Sequence, residues 1–531
     1  MVPLLFLVVG IWLVPLAYTC QLDCVAGDLG DARFNSVVLE HFHRWVIGRE
    51  PSLLSPSFFY PLPGAIAFSD NHWGTAWIYS FYRVMGWDRY QAFDLWFVTG
   101  FIANFVVSHV VFRRLRFSSL ASAVAAFAFT FAMPVIAKYQ HAQLTYRFLV
   151  PVGLLLWQYC IFDGRWRWFA ALALVVVSQF YMSIYVGYFL VLLLGAWACA
   201  DCLLHRLWPS QRIARWKYER LPSSRWEGQA SLVLAAASAV ALVLLMYPYF
   251  HYSRLYGFGR GLGEIASMTP RPQSYLLADH SRIWGHLSGM IAPNVPMRHE
   301  HQLFFGVGLL ALSAIGLFCH HGRMRWTAAV SLGLLVLLTL TFGKYSLYLA
   351  IGALPGVGSV RAMARIGTVL VVPLALLAAM AVDAFPREKF RARLLVALLV
   401  LMMGVESTTS RFYSFEATEA QRRIETLRRQ YPDALTGDPV IFSPAITDTP
   451  YYVSELDGMI LAQDLGLPTL NGYSGNFPPG YMADPERPPC VQALMRIRAA
   501  QRFQARHVDQ LALPVPDLVL VAGHGACASG R

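Results

Sequence analysis

Charge is scarce in this 531-residue chain: Asp, Glu, Lys and Arg make up 14% of it, against 56% hydrophobic residues. A soluble globular protein is about a quarter charged, so the deficit excludes an ordinary water-facing surface and points to lipid. The motifs of soluble chemistry are also missing. There is no phosphate-binding G-x-x-x-x-G-K-S/T, no G-x-G-x-x-G after a soluble strand, no G-x-S-x-G and no H-E-x-x-H. That argues against a cytoplasmic, nucleotide-using active site. Internal repeats and disordered low-complexity tracts are absent as well.

What the chain does have is apolar runs of about 17–25 residues, the length needed to cross a hydrocarbon core. Inside lipid the backbone must satisfy its own hydrogen bonds, so runs this long and continuous predict helices and not barrel strands. Spans are predicted near 2–19, 92–112, 118–135, 147–162, 168–184, 186–204, 229–248, 303–319, 327–343, 366–382 and 394–409. The net charge of +12 is concentrated between them. Five short gaps hold seventeen Lys and Arg: Arg113/Arg114/Arg116, Arg165/Arg167, the stretch 205–228, Arg323/Arg325, and Arg387/Lys389/Arg391/Arg393. If the spans alternate, all five fall on one side, the positive-inside pattern of cytoplasmic loops. The basic excess is thus an orientation signal, and no nucleic acid is needed to explain it.

The first run lacks a basic leader and an A-x-A-like end, which favours a retained span over a cleaved signal peptide. Only a tight polar turn around Ser183 separates the fifth and sixth spans, and fusing them would flip every later basic loop to the outside. The expectation is therefore an α-helical multi-pass protein of the cytoplasmic (inner) membrane with about 11 transmembrane helices, N-terminus inside and C-terminal region outside. Residues 1–409 form the membrane domain, with interfacial helices in a first outer loop at 20–91. Residues 410–531 alternate helix and strand signals and read as a small extracytoplasmic α/β domain. Cys20 with Cys24, and Cys490 with Cys527, lie outside, where an oxidising medium permits bridges; free thiols are the alternative.

The outer segments carry the chemistry-bearing residues. GDLGDARFN places Asp28 and Asp31 beside the first span, and RFNSVVLEHFHRWVIG follows with apolar residues Phe34, Val37, Val38, Phe42 and Trp45 at helical spacing. That pattern predicts a helix lying in the membrane interface, and TAWIYSFYRVMGW repeats it. Asp70 and His72 stand in a loop of aromatics and prolines. His141 is flanked by glutamines, Glu300 by histidines, and Arg361 and Arg365, four apart, share a face if their segment is helical. A carboxylate at the mouth of a membrane cavity can act as general base or hold a divalent cation, and Arg33 would favour its ionised form. The bland alternatives are that Asp28 and Asp31 solvate or cap helix ends, that Asp70 caps a helix near Gly74, that His141 is a satisfied interfacial histidine, and that the arginines snorkel.

In order along the chain, GDLGDARFN, FFYPLPGAIAFSDNHWG, QHAQL, HEHQLFFGVGLLAL, LPGVGSVRAMAR and LNGYSGNFPPGY resemble the GT-C superfamily of polyprenyl-phosphate-sugar glycosyltransferases. Within it the pattern is most similar to bacterial YfhO-like and related multi-pass proteins. The resemblance implies a polyprenyl-phosphate-linked sugar donor, transfer to a glycan, lipid or protein acceptor on the outer face, and a first-loop acid as base. On this chain that acid is Asp28, with Asp31 close behind, and Arg361 and Arg365 fall where phosphate contacts are expected. Asp70, His72, His141 and Glu300 complete the candidate substrate-binding set. The first loop lacks a clear D-x-D or Asp-Glu pair, which leaves metal dependence open, a divalent cation included. Two other classes compete: a transporter or flippase of a lipid-linked or anionic solute, and a non-catalytic envelope assembly protein. Transporters place ionisable groups near the bilayer midplane, whereas the charges here crowd the outer rim.

Overall fold

A computed structural model describes residues 1–205, 225–291, 293–343, 345–352, 354, 356–385, 389–410, 413–432, 435, 437–507 and 514–528. Of the basic gaps read from the sequence, residues 206–224 and Arg387 lie outside the described residues. An apolar helix falls on each of the predicted spans. Among the described residues, six helices are long and apolar enough to cross a membrane: Arg89–Arg114, Ser119–Ile136, Ala142–Phe162, Ile184–Leu204, Arg225–Tyr256 and Met363–Asp383. Val2–Tyr18, Trp166–Met182, Val307–Cys319 and Met324–Thr339 are shorter apolar helices, and Phe390–Glu406 covers the last predicted span. Length and composition thus support six crossings, whereas hydropathy predicts eleven. The difference arises because the other five apolar helices have 17 residues at most. Ser183, extended between Trp166–Met182 and Ile184–His205, separates the fifth and sixth predicted spans as expected.

The chain divides into two compact units. The first comprises Met1–Tyr18, Phe97–Leu244 and Gly259–Phe412. Its centre is the helix Gly367–Asp383, buried continuously from Gly367 to Ala381. A helix apolar all round is stable only when neighbours cover every side. Ser119–Phe131, Val307–Cys319 and Met324–Thr339 pack on it. Gly316 permits the closest approach, since a Cβ there would lie 1.8 Å from the Leu377 carbonyl oxygen. Small residues at such crossings let helix backbones meet in lipid. Ser118 caps Ser119–Phe131, its hydroxyl accepting the Ala121 N–H at 3.2 Å, a bond that satisfies one of the otherwise orphaned first-turn donors.

The second unit comprises Thr19–Trp96, Leu245–Phe258 and Tyr413–Arg531. Strand Cys24–Ala26 pairs antiparallel with Ser414–Glu416, Cys24 opposite Glu416. Val440–Phe442 runs parallel to Leu518–Val521, which pairs antiparallel with Gly525–Ala528. Helices Ala417–Arg428, Tyr451–Leu465 and Pro489–Arg506 complete the tail. Disulfides join Cys20 to Cys24 and Cys490 to Cys527. The first-loop helix Asp31–Val46 is buried from Ala32 to Arg44. Its Phe34, Val37 and Val38 share a core with Leu456, Met459 and Ile460 of the tail. The expectation that this helix dips its apolar face into lipid is therefore corrected: protein covers that face. The second stretch behaves differently. Ala76–Val84 and the turn after it leave Trp77, Phe81, Val84, Met85 and Trp87 exposed.

Candidate active site

The second unit holds the first-loop acids. Asp28 Oδ1 accepts the Gly30 N–H at 3.1 Å, a local turn that launches Asp31–Val46. Asp31 opens that helix, where a carboxylate complements the positive end of the helix dipole. Its Oδ1 also accepts the Tyr473 hydroxyl at 3.2 Å. Both aspartates are half-buried. Gly30 packs against the ring of Tyr452. Burial, with the charge of Asp28, raises the Tyr452 pKa. Burial, then Asp31, Tyr451 and Asp28, raise that of Tyr473. These hydroxyls therefore keep their protons and act as donors beside the acids. Both acids thus stand at the start of Asp31–Val46.

Other carboxylates of this unit are tied to arginines. Glu40 accepts from Arg83 Nε at 2.8 Å and from the Tyr79 hydroxyl at 2.6 Å. Burial alone would raise its pKa, but Arg89 and Arg83 outweigh it and pull it down to about 2. Asp457 bridges Arg33 and Arg423, so Arg33 is committed to the tail. Buried Glu455 is held by Arg496 and by the Gly472 N–H at 2.9 Å.

Asp70 and His72 are also buried here. Asp70 Oδ1 accepts its neighbour's N–H, that of Asn71, at 3.0 Å. The helix it was expected to cap begins after Thr75 instead, with the His72 carbonyl accepting the Thr75 and Ala76 N–H groups. His72 Nε2 lies 2.5 Å from Asn35 Oδ1, and its ring meets Trp96 edge-on. Burial pushes the imidazole down to about 3, so it is neutral.

The first unit brings together three other candidates, His141, Glu300 and Arg365. Arg365 donates from Nη2 to Glu300 Oε1 at 2.6 Å, and His141 Nε2 lies 3.3 Å from the same oxygen. Lys138 Nζ donates to Glu300 Oε2 at 3.0 Å and to the His299 carbonyl at 2.8 Å. The Arg365 guanidinium lies over Tyr185, 5.0 Å from the ring centre. Burial would raise the Glu300 pKa, but Arg365, Lys138 and His141 hold it well below the usual carboxylate range. Arg361 goes elsewhere. It pairs with Glu264 at 3.1 Å, an acid shared with Arg260. No helix spans 361–365: Val357–Ser359 and Met363–Ile366 are single turns, so the shared-face expectation does not hold.

Sequence reasoning missed Lys138, Tyr452 and Tyr473. Lys138 carried a signal, as a cation at the end of an apolar span three residues before His141. The tyrosines carried none, because 442 residues separate Asp31 from Tyr473. Among the described residues no group of three or more His, Cys, Asp and Glu side chains could hold a metal ion.

No family model and no curated protein matches the sequence. Solved structures are similar at low identity. The mycobacterial arabinofuranosyltransferase AftD shares 15% identity at a TM-score of 0.42, over 84% of this chain and 29% of that one. The apo oligosaccharyltransferase of Archaeoglobus fulgidus shares 10% at 0.46, over 88% and 64%. Apo ArnT of Cupriavidus metallidurans shares 13% at 0.37, over 88% and 84%. The chain thus spans less than a third of AftD and just under two thirds of the oligosaccharyltransferase.

Proposed function

We propose that this chain is a membrane glycosyltransferase moving one sugar from a polyprenyl-phosphate carrier to a glycan, lipid or protein acceptor on the outer face of the cytoplasmic membrane. The observation that carries this reading is the placement of Asp28 and Asp31. They form a half-buried acidic pair directly after the first apolar helix, beside tyrosine hydroxyls that stay protonated. Asp28 takes the proton of the acceptor hydroxyl as that oxygen bonds to the sugar's anomeric carbon. The bond from that carbon to the carrier phosphate breaks, and polyprenyl phosphate leaves with the electron pair, inverting the sugar carbon. Asp31, bonded to Tyr473, fixes the geometry of the pair. In the other unit, two strong cations, Lys138 and Arg365, share the single carboxylate Glu300. A lysine beside an arginine suits a phosphate, which guanidinium matches with two parallel bonds. The N-terminus is assigned to the cytoplasm and the tail to the outside.

The test compares Asp28→Asn and Asp31→Asn with wild type for glycan transfer in membranes. Losing a general base costs roughly 100- to 10,000-fold in rate. The expected result is a loss of that size in Asp28→Asn and a smaller one in Asp31→Asn, both folded. Full activity in Asp28→Asn sinks the assignment of the base.

A further inference from the structure

A pocket in the first unit is lined mainly by apolar side chains, among them Phe112, Leu154, Trp197, Met324 and Leu376, with Gln158. Trp197 is 1% exposed, and its buried indole N–H has no hydrogen-bond partner. A buried indole N–H nearly always finds an acceptor, so an acceptor is missing from the protein alone.

The ends of the lining helices supply a second observation. Phe112 belongs to the last turn of Arg89–Arg114, just before Arg113 and Arg114, and Arg116 follows Leu115 in the chain. Met324 stands between Arg323 and Arg325 at the start of Met324–Thr339. Arg113, Arg114, Arg116 and Arg323 are exposed. The nearby acids are already engaged: Asp201 accepts from Trp157 and Thr327, and Asp383 from Ser118. An apolar slot, a free indole donor and a collar of exposed guanidiniums together match one kind of molecule.

We propose that this pocket binds an anionic phospholipid from the bilayer leaflet that these arginines face. An acyl chain fills the slot, an ester carbonyl accepts the Trp197 N–H, and the arginines hold the phosphate headgroup. Basic pockets between membrane helices recognise anionic headgroups through the same combination of charge and apolar contact. The site is independent of the sugar-transfer reading.

The full chain, purified and placed in phosphatidylcholine nanodiscs with or without phosphatidylglycerol, is examined by native mass spectrometry for retained lipid. One phosphatidylglycerol per chain is expected, in clear preference to phosphatidylcholine. The surface variant Arg113→Gln/Arg114→Gln/Arg323→Gln reduces that preference at least about tenfold. Trp197→Phe, which removes the indole N–H together with part of the ring volume, weakens retention of both lipids while leaving the charge preference in place. Equal retention of the two lipids by wild type overturns the proposal. So does retention unchanged by both variants, or recovery of a polyprenyl phosphate in place of a phospholipid.

Discussion

Glu300 shows most plainly how a single residue holds this molecule together. Lys138 and Arg365 are almost wholly buried, and Glu300 is the carboxylate they share. Removing one partner of a buried ion pair leaves uncompensated charge in a poorly solvating interior and costs about 3–5 kcal/mol. Glu300→Gln is therefore expected to lower the unfolding free energy in detergent by that amount, while a value within about 0.5 kcal/mol of wild type contradicts the network. His72 provides the second residue-scale prediction. Its imidazole is neutral when folded and titrates near 3, against 6.5 when exposed. The unfolded chain thus binds more protons, so stability is full above pH 6.5 and falls with acidification towards pH 3, by about 1.4 kcal/mol per unit. His41, pushed down to about 4 by burial, adds to the same window. The carboxylate Glu300 loses its contribution only below its ordinary value of 4.5. Between pH 6.5 and 4.5 the buried histidines contribute a rise of stability with pH. His72→Asn, which suits the backbone φ of +60° at that position, should flatten the slope of melting temperature against pH; an unchanged slope contradicts the assignment. Neither role was legible from sequence. Glu300 and Arg365 are 65 residues apart, and nothing in SDNHWG distinguishes a buried histidine from a ligand.

At the scale of elements, hydropathy found where the apolar helices are but not what covers them. Asp31–Val46 and Ala76–Val84 show the same amphipathic periodicity. One is covered by Tyr451–Leu465, whose Leu456 and Met459 fill the space lipid was expected to occupy, and the other keeps its aromatic residues exposed. The tail was more legible: the expected helix over YYVSELDGMILAQDL is Tyr451–Leu465, and PVIFS contains the strand Val440–Phe442. What local pattern could not supply was that the first loop and the tail share a core, because their pairing is long-range. Exposed Trp77, Phe81 and Met85 are expected at a membrane surface, where amphipathic helices bury such side chains among the lipid headgroups. A nitroxide label at Phe81→Cys in liposomes should be relaxed more by oxygen than by an aqueous nickel complex. The reverse preference contradicts an interfacial helix.

For the whole molecule, scarce charge, long apolar helices and a polar first loop agree on a multi-pass membrane protein. Six helices meet the length for crossing, and the basic gaps give the orientation proposed here. Substrate identity is not written at this scale, since aspartates beside a first span serve capping, metal binding and catalysis alike. The most direct test uses the purified chain in proteoliposomes with a panel of radiolabelled polyprenyl-phosphate sugars and the lipid and glycan fraction of its own membranes as acceptor. Release of polyprenyl phosphate matched by label entering the acceptor, and abolished in Asp28→Asn, is the predicted result. Movement of an intact lipid-linked sugar across the bilayer without bond cleavage, equally in wild type and Asp28→Asn, would contradict it.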